Sequence, residues 1–215
     1  MLSILTGLVV RGFFVHNGRA RPAAATYTPS HGGSVRLDPG LRATAQVHMS
    51  GFEHTVAGAR AAAVAYVLTG QHFLDLAPAQ VPAAVRAISA SGSADAQVAD
   101  AERELEQLRA LLASGTGPTR YFQAVLATRV DAFAPERARV SVWSVGVLSR
   151  AGVANPQAGW DVSTFDLVWE RADWKIWSET ITPGPAPTLN TAAAPATSEQ
   201  LDQALIGFAA WTSSR

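Results

Sequence analysis

The sequence predicts an α+β fold, with N-terminal helices packed on a bent four-stranded antiparallel sheet and a C-terminal amphipathic helix. Three observations carry this reading. Apolar residues recur three or four apart from Val56 to Leu112, and the period changes to strand-like runs from Arg120 onward. The strand-like runs follow one another directly, which is the order of an α+β chain and not the alternation of a parallel sheet. Residues 167–177 place Trp169, Trp174 and Trp177 in two β-prone runs around a short polar turn, as an antiparallel hairpin does. Each tryptophan can bury a large area, so this hairpin is expected to anchor the main core.

Taken in chain order, residues 1–15 are apolar apart from Ser3, Thr6 and Arg11. They are fewer than the roughly 20 needed to span a bilayer, and they lack the basic start of a signal peptide. Three readings stay open: a buried folded segment, the remnant of a membrane anchor, or a weak signal. Residues 17–50 are rich in Gly, Pro, Ala, Thr and Ser and read as an extended linker. Thr55 is a good N-cap for a helix expected to run to about Thr69, with Gly70 as its stop. A short helix is expected after Pro78, with Val81, Val85 and Ile88 on one side. A longer one is expected over 95–113, striped by Val98, Ala101, Leu105, Leu108 and Leu112. Its acidic residues Asp100, Glu102, Glu104 and Glu106 read as a solvated face. Strands are expected over 120–130, 138–149, 160–170 and 174–182, with a turn at 134–137, a loop at 152–159 and a bulge or bend at Gly146. After a Pro-rich break at 183–187, a final helix is expected over 198–211 with Leu201, Leu205, Phe208 and Trp211 on one face. Three parts follow: an N-terminal segment and linker (1–50), an α+β domain (51–187), and a linker with the C-terminal helix (188–215).

Composition narrows the function. The chain of 215 residues has formal net charge zero, and its basic residues form no cluster, so direct nucleic-acid binding is not expected. The absence of cysteine excludes disulfides, cysteine nucleophiles and thiolate metal sites. Sixteen of the seventeen basic residues are arginine and Lys175 is the single lysine, a bias that with the alanine excess reads as a GC-rich genome.

Residues 51–59 (Gly-Phe-Glu-His-Thr-Val-Ala-Gly-Ala), the run 140–148 (Val-Ser-Val-Trp-Ser-Val-Gly-Val-Leu) and the tryptophan hairpin carry a resemblance. Helices followed by a bent four-stranded sheet resemble the nuclear-transport-factor-like, or cystatin-like, superfold. The quoted segments are similar to uncharacterised actinobacterial proteins of integrative and conjugative elements. The VirB-type scaffold of type IV secretion systems and the TcpC-like conjugation proteins share the broader domain type. The resemblance covers about residues 51–187, and its motifs specify a fold and not a reaction.

The candidate chemical residues all have plainer roles open to them. His48 and His54, with His72 or Glu53 as a third partner, match no zinc spacing. Tyr121, Asp131, Asp161 and Asp166 are the possible contributors to an acid inside an apolar cone, as in enzymes of this superfold, but no pattern forces them inward. No catalytic residue, cofactor or metal is therefore assigned. The resemblance implies a non-enzymatic, envelope-associated scaffold subunit of a conjugative transfer apparatus, on the outer side of the cytoplasmic membrane. It would act through protein contacts, as a homo-oligomer or with other transfer subunits, with membrane association through the N-terminus. The alternative is a small-molecule-binding or ketosteroid-isomerase-like protein using the cone. A cytoplasmic location is the alternative to the envelope.

Overall fold

The computed structural model describes residues 50–186 and 198–210. Three helices come first: α1 (Val56–Phe73), α2 (Val81–Ile88) and α3 (Ala94–Leu112), with a 3-10 turn at Pro78–Gln80 before α2. Four long strands follow: β1 (Thr116–Ala134), β2 (Arg137–Ala151), β3 (Ala154–Glu170) and β4 (Asp173–Pro183). A short helix α4 (Ser198–Ala204) and a two-residue strand β5 (Ala209–Ala210) end the described chain. The sheet order is β4-β3-β2-β1-β5, antiparallel throughout and not closed. The expected α+β architecture is present.

The helices form where the sequence places them. Thr55 is extended and its hydroxyl accepts from Gly58 N at 3.0 Å, a side-chain cap. Gly70 does not stop α1, which runs to buried Phe73. An interior glycine costs about 1 kcal/mol in a helix, and burying a phenylalanine returns more than that. Ala59, Ala62 and Ala63 are fully buried, so α1 lies close against β1 and β2. All five stripe residues of α3 are buried. Glu104 is buried with them, which corrects the reading of its acidic run as wholly solvated.

The strands are longer than expected because the turns are tighter. Pro135 and Glu136 alone join β1 to β2, through the pair Ala134↔Arg137. The expected loop at 152–159 is mostly strand, since β3 begins at Ala154. Gly146 is no bulge: it pairs in register with Gln123 and Gly159. Bulges fall elsewhere, and one of them decides the site. Between Asp166↔Ser178 and Leu167↔Ile176 the register slips by one residue, leaving Trp177 unpaired. Trp177 leaves the strand alternation, rests near Gly92 and is 43% exposed, so it is not the core anchor expected.

The C-terminal helix is also corrected. It ends at Ala204, because Gly207 adopts φ 80° and turns the chain back into the sheet. Ala209 and Ala210 then pair with Thr128 and Ala127. The Arg129 guanidinium sits 4.6 Å from the Phe208 ring centre, a cation–π contact that fastens this return. The segment extends the sheet edge instead of covering its face as a helix. Trp211 lies outside the described residues, as do residues 1–49 and most of the second linker, 187–197.

One main cluster, from Ala59, Tyr66, Phe73, Val85 and Leu105 to Val140, Phe165 and Trp174, fills the space between helices and sheet. A smaller one joins Leu108, Leu112, Leu148 and Ile181. Trp174 is fully buried; its Nε1 donates to Glu53 O at 2.9 Å, and Tyr66 Oη donates to its carbonyl. Buried Asp173 accepts from Gly51 N and Phe52 N, each at 3.2 Å, and so holds the chain that leads into α1.

Candidate functional site

Strand alternation assigns each side chain to a face. Val140, Val142 and Phe165 point into the core toward the helices. Ser144 and Asp161, Ser163, and Gln123 share that inner face, through the pairs Ser144↔Asp161, Val142↔Ser163 and Gln123↔Gly146. Glu179 pairs with Phe165 and joins them. Glu104 approaches from α3, and its charge acts on Glu179. Gly146 makes room for Tyr121: a Cβ there would lie 3.1 Å from the Tyr121 hydroxyl oxygen. These residues form a polar group where the smaller apolar cluster meets the sheet.

The electrostatics of this group are those of burial without a countercharge. Desolvation pushes the Glu179 carboxyl up to about 8; the adjacent Ser163 hydroxyl tempers the rise and Glu104 adds to it. Desolvation pushes Asp161 up to about 7. Tyr121 is raised by burial first and then by Asp161 and Glu179. Gln123 Nε2 donates to Ser144 Oγ at 3.4 Å. Tyr121 Oη and Gln123 Oε1 are buried and make no hydrogen bond to the described residues. Burial thus favours the protonated, hydrogen-bond-donating form of both carboxyls.

The four candidates for cone chemistry divide between the faces. Tyr121 and Asp161 come together on the inner face. Asp131 and Asp166 lie on the outer face, in ordinary polar ladders. Asp131 accepts from Arg129 Nε and Ser141 Oγ, both at 2.5 Å. Asp166 takes both arms of Arg139, at 2.7 and 3.0 Å, and the hydroxyl of Ser178 at 3.1 Å. Asp166, Arg139 and Ser178, with Arg137 and Trp177, line an outer groove of about 450 Å³. Arg139 holds the Asp166 carboxyl below its usual range, mainly by hydrogen bonding.

Sequence reasoning missed Glu104, Ser163 and Glu179. Glu104 had a signal: it lies three residues after Ala101 and four before Leu108 on the buried stripe of α3. Glu179 had none, because an unbroken β4 would point it away from Trp174 and Ile176. The bulge at Trp177 turns it inward.

The histidines do not assemble. His54 stacks on Trp169 at 4.0 Å with the planes 5° apart, and its Nε2 bonds Pro135 O. His72 is exposed at the end of α1 and His48 lies outside the described residues. Among the described residues no three His, Asp or Glu side chains are grouped to hold a metal.

Residues 39–197 match the family described as Domain of unknown function (DUF8175). No curated protein matches the sequence. A solved structure, the crystal structure of the intermembrane space region of the chloroplast protein ARC6, aligns at 11% identity with a TM-score of 0.38, covering 57% of this chain and 93% of that one.

Proposed function

We propose, from the premise that this chain belongs to the DUF8175 family, that it is a non-enzymatic scaffold subunit working through protein contacts. The observation that carries this is the edge of β1. β5 pairs only with Ala127 and Thr128, so among the described residues the edge from Thr116 to Leu126 has no strand beside it. Phe122 stands there 63% exposed. An open edge with an exposed aromatic suits strand addition by a partner, in which main-chain hydrogen bonds give affinity and side-chain pockets give selectivity.

The assignment to a conjugative, type IV secretion-like apparatus rests on the resemblance of residues 51–59, 140–148 and the tryptophan hairpin to conjugative-element proteins. The partners proposed are other copies of this chain or other subunits of that apparatus, without direct contact to DNA. The proposed place is the outer side of the cytoplasmic membrane, reached through the apolar N-terminal residues. No helix among the described residues is long and apolar enough to cross a membrane.

A photo-crosslinking residue at position 122, in a host carrying the element, tests this reading. Crosslinks to transfer-apparatus subunits or to a second copy are expected, and deleting the gene should abolish transfer. Asp131→Asn and Asp166→Asn should leave transfer near wild type, because both carboxylates sit on the outer face in structural pairs with Arg129 and Arg139. Normal transfer in the deletion strain, with no specific crosslink, would refute the scaffold role.

A second reading, small-molecule binding on the inner face, is favoured by the polar side chains of Tyr121, Gln123, Asp161, Ser163 and Glu179 gathered on that face.

A further inference from the structure

The groove on the outer face of the sheet has a layout that the scaffold role does not use. It holds about 450 Å³, within the size range of small-molecule sites. Arg137 and Arg139 reach it from β2, Asp166 and Val168 from β3, and Trp177 and Ser178 from β4. Ala132 and Ala134 on β1, paired with Arg139 and Arg137, are too short to fill it. Trp177 and Ser178 are consecutive, and an unbroken strand would turn them to opposite faces. The register slip at Trp177 sets both on the groove.

The charges in the groove do not balance. Arg139 gives both arms to Asp166, and Ser178 donates to the same carboxylate. Asp131 also acts on Arg139, but it is paired with Arg129. Lys175, opposite Val168, turns away to Ala87 O and Asp173. The Arg137 guanidinium makes no hydrogen bond or ion pair among the described residues, and its charge acts on Asp166. One positive charge is therefore left over. Across the groove stands the Trp177 ring, 43% exposed. Gly92 leaves room for it, since a Cβ there would lie 2.9 Å from Trp177 Cζ3. Half-buried Val168 lies on the strand between them, and β2 to β4 is two strand spacings, about 10 Å.

We infer that this groove binds a small aromatic carboxylate, with its carboxylate on Arg137 and its ring between Trp177 and Val168. A planar guanidinium holds a carboxylate through two parallel hydrogen bonds. A single unpaired guanidinium suits a monoanion better than a phosphate ester of higher charge. An aromatic ring buries area on Val168 and meets the indole in an offset or edge contact. The site is separate from both functions proposed above, since it uses neither the edge at Phe122 nor the inner carboxyls.

Nuclear magnetic resonance titration of the full chain tests this, following the Trp177 indole N–H, which is the signal missing from Trp177→Leu. The probe is 2-naphthoate, against 2-naphthalenemethanol as its neutral counterpart and acetate as a carboxylate without a ring. The naphthoate should bind with a Kd on the order of 1 mM, and each control about tenfold more weakly or worse. Arg137→Gln, at an exposed position, should weaken the naphthoate about tenfold, and Trp177→Leu about fivefold. Raising the salt from about 0.05 M to about 0.5 M should weaken it severalfold. Affinity should stay level from about pH 6 to about pH 9, because the ligand and Arg137 both keep their charge there. A ligand on the inner face would instead follow Asp161 and Glu179, which titrate in that range. Equal binding of the alcohol, no loss in Arg137→Gln, or shifts at Tyr121 and Asp161 in place of Trp177 would overturn the assignment. So would the absence of any naphthoate binding at about 20 mM.

Discussion

Trp174 joins three parts of the molecule through one residue. Its ring is fully buried in the main cluster, its Nε1 holds Glu53 O ahead of α1, and its carbonyl receives the Tyr66 hydroxyl from within α1. Gly58 permits this arrangement, since a Cβ there would lie only 1.9 Å from the same Glu53 oxygen. Trp174→Ala should therefore cost about 3–5 kcal/mol, from the cavity it leaves and from the lost hydrogen bond to Glu53 O. Urea melts of the variant check this, and a loss below about 1 kcal/mol would mean that the hairpin is not the anchor. Trp177 gives the contrast. It has the same chemistry three residues away, yet it is 43% exposed, so its truncation should cost far less. The difference lies in position and not in residue type, because three residues along a strand is an odd step and turns the second ring away from the core face.

At the scale of elements, the β3–β4 turn carries a cost that its sequence does not advertise. Arg171 and Ala172 adopt φ 55° and 57°, the left-handed pair of a type I′ turn. Asn-Gly is the usual occupant, because a Cβ in this conformation costs roughly 1–2 kcal/mol per residue. Ala172→Gly should stabilise the protein by about 1 kcal/mol, read as a higher urea midpoint with an unchanged slope. A lower midpoint would show that the Ala172 methyl makes a contact worth more than the strain. Much of this architecture was legible: the Thr55 cap, the α3 stripe and the order of helices before strands all follow from local pattern. What was not legible depends on register. Periodicity reports a face only while the pairing is unbroken, so the bulge at Trp177 hid Glu179. Gly207 likewise ends α4 early, although Leu201, Leu205 and Phe208 keep a helical spacing. The candidate site was half visible, as Tyr121 and Asp161, because the other half depends on a bulge and on which side of α3 Glu104 faces.

For the whole molecule, two sets of carboxyls set opposite limits on stability. Asp166 is held below its usual range by Arg139 and Ser178, so its contribution is present above the unfolded pKa and is lost as pH falls through the folded one. Asp161 and Glu179 are shifted the other way. Burial raises them to about 7 and about 8, so the native state keeps protons that the unfolded chain has already released. Their contribution is complete below the unfolded values of 3.8 and 4.5 and is lost as pH rises through the folded ones. The protein should thus be most stable in weakly acidic solution and should lose on the order of a few kcal/mol between about pH 5 and pH 9. Asp161 contributes the smaller share, because it is partly open to solvent and screened. Urea midpoints at pH 5, 7 and 9 measure this, with Glu179→Gln as the control. The amide cannot ionise, so the variant should show a flatter alkaline limb and overtake the wild type near pH 9. Equal midpoints for the wild type across that range would mean that solvent reaches Glu179 and ionises it without cost. The inner polar group would then be an extension of the surface and not a desolvated layer between the two apolar clusters.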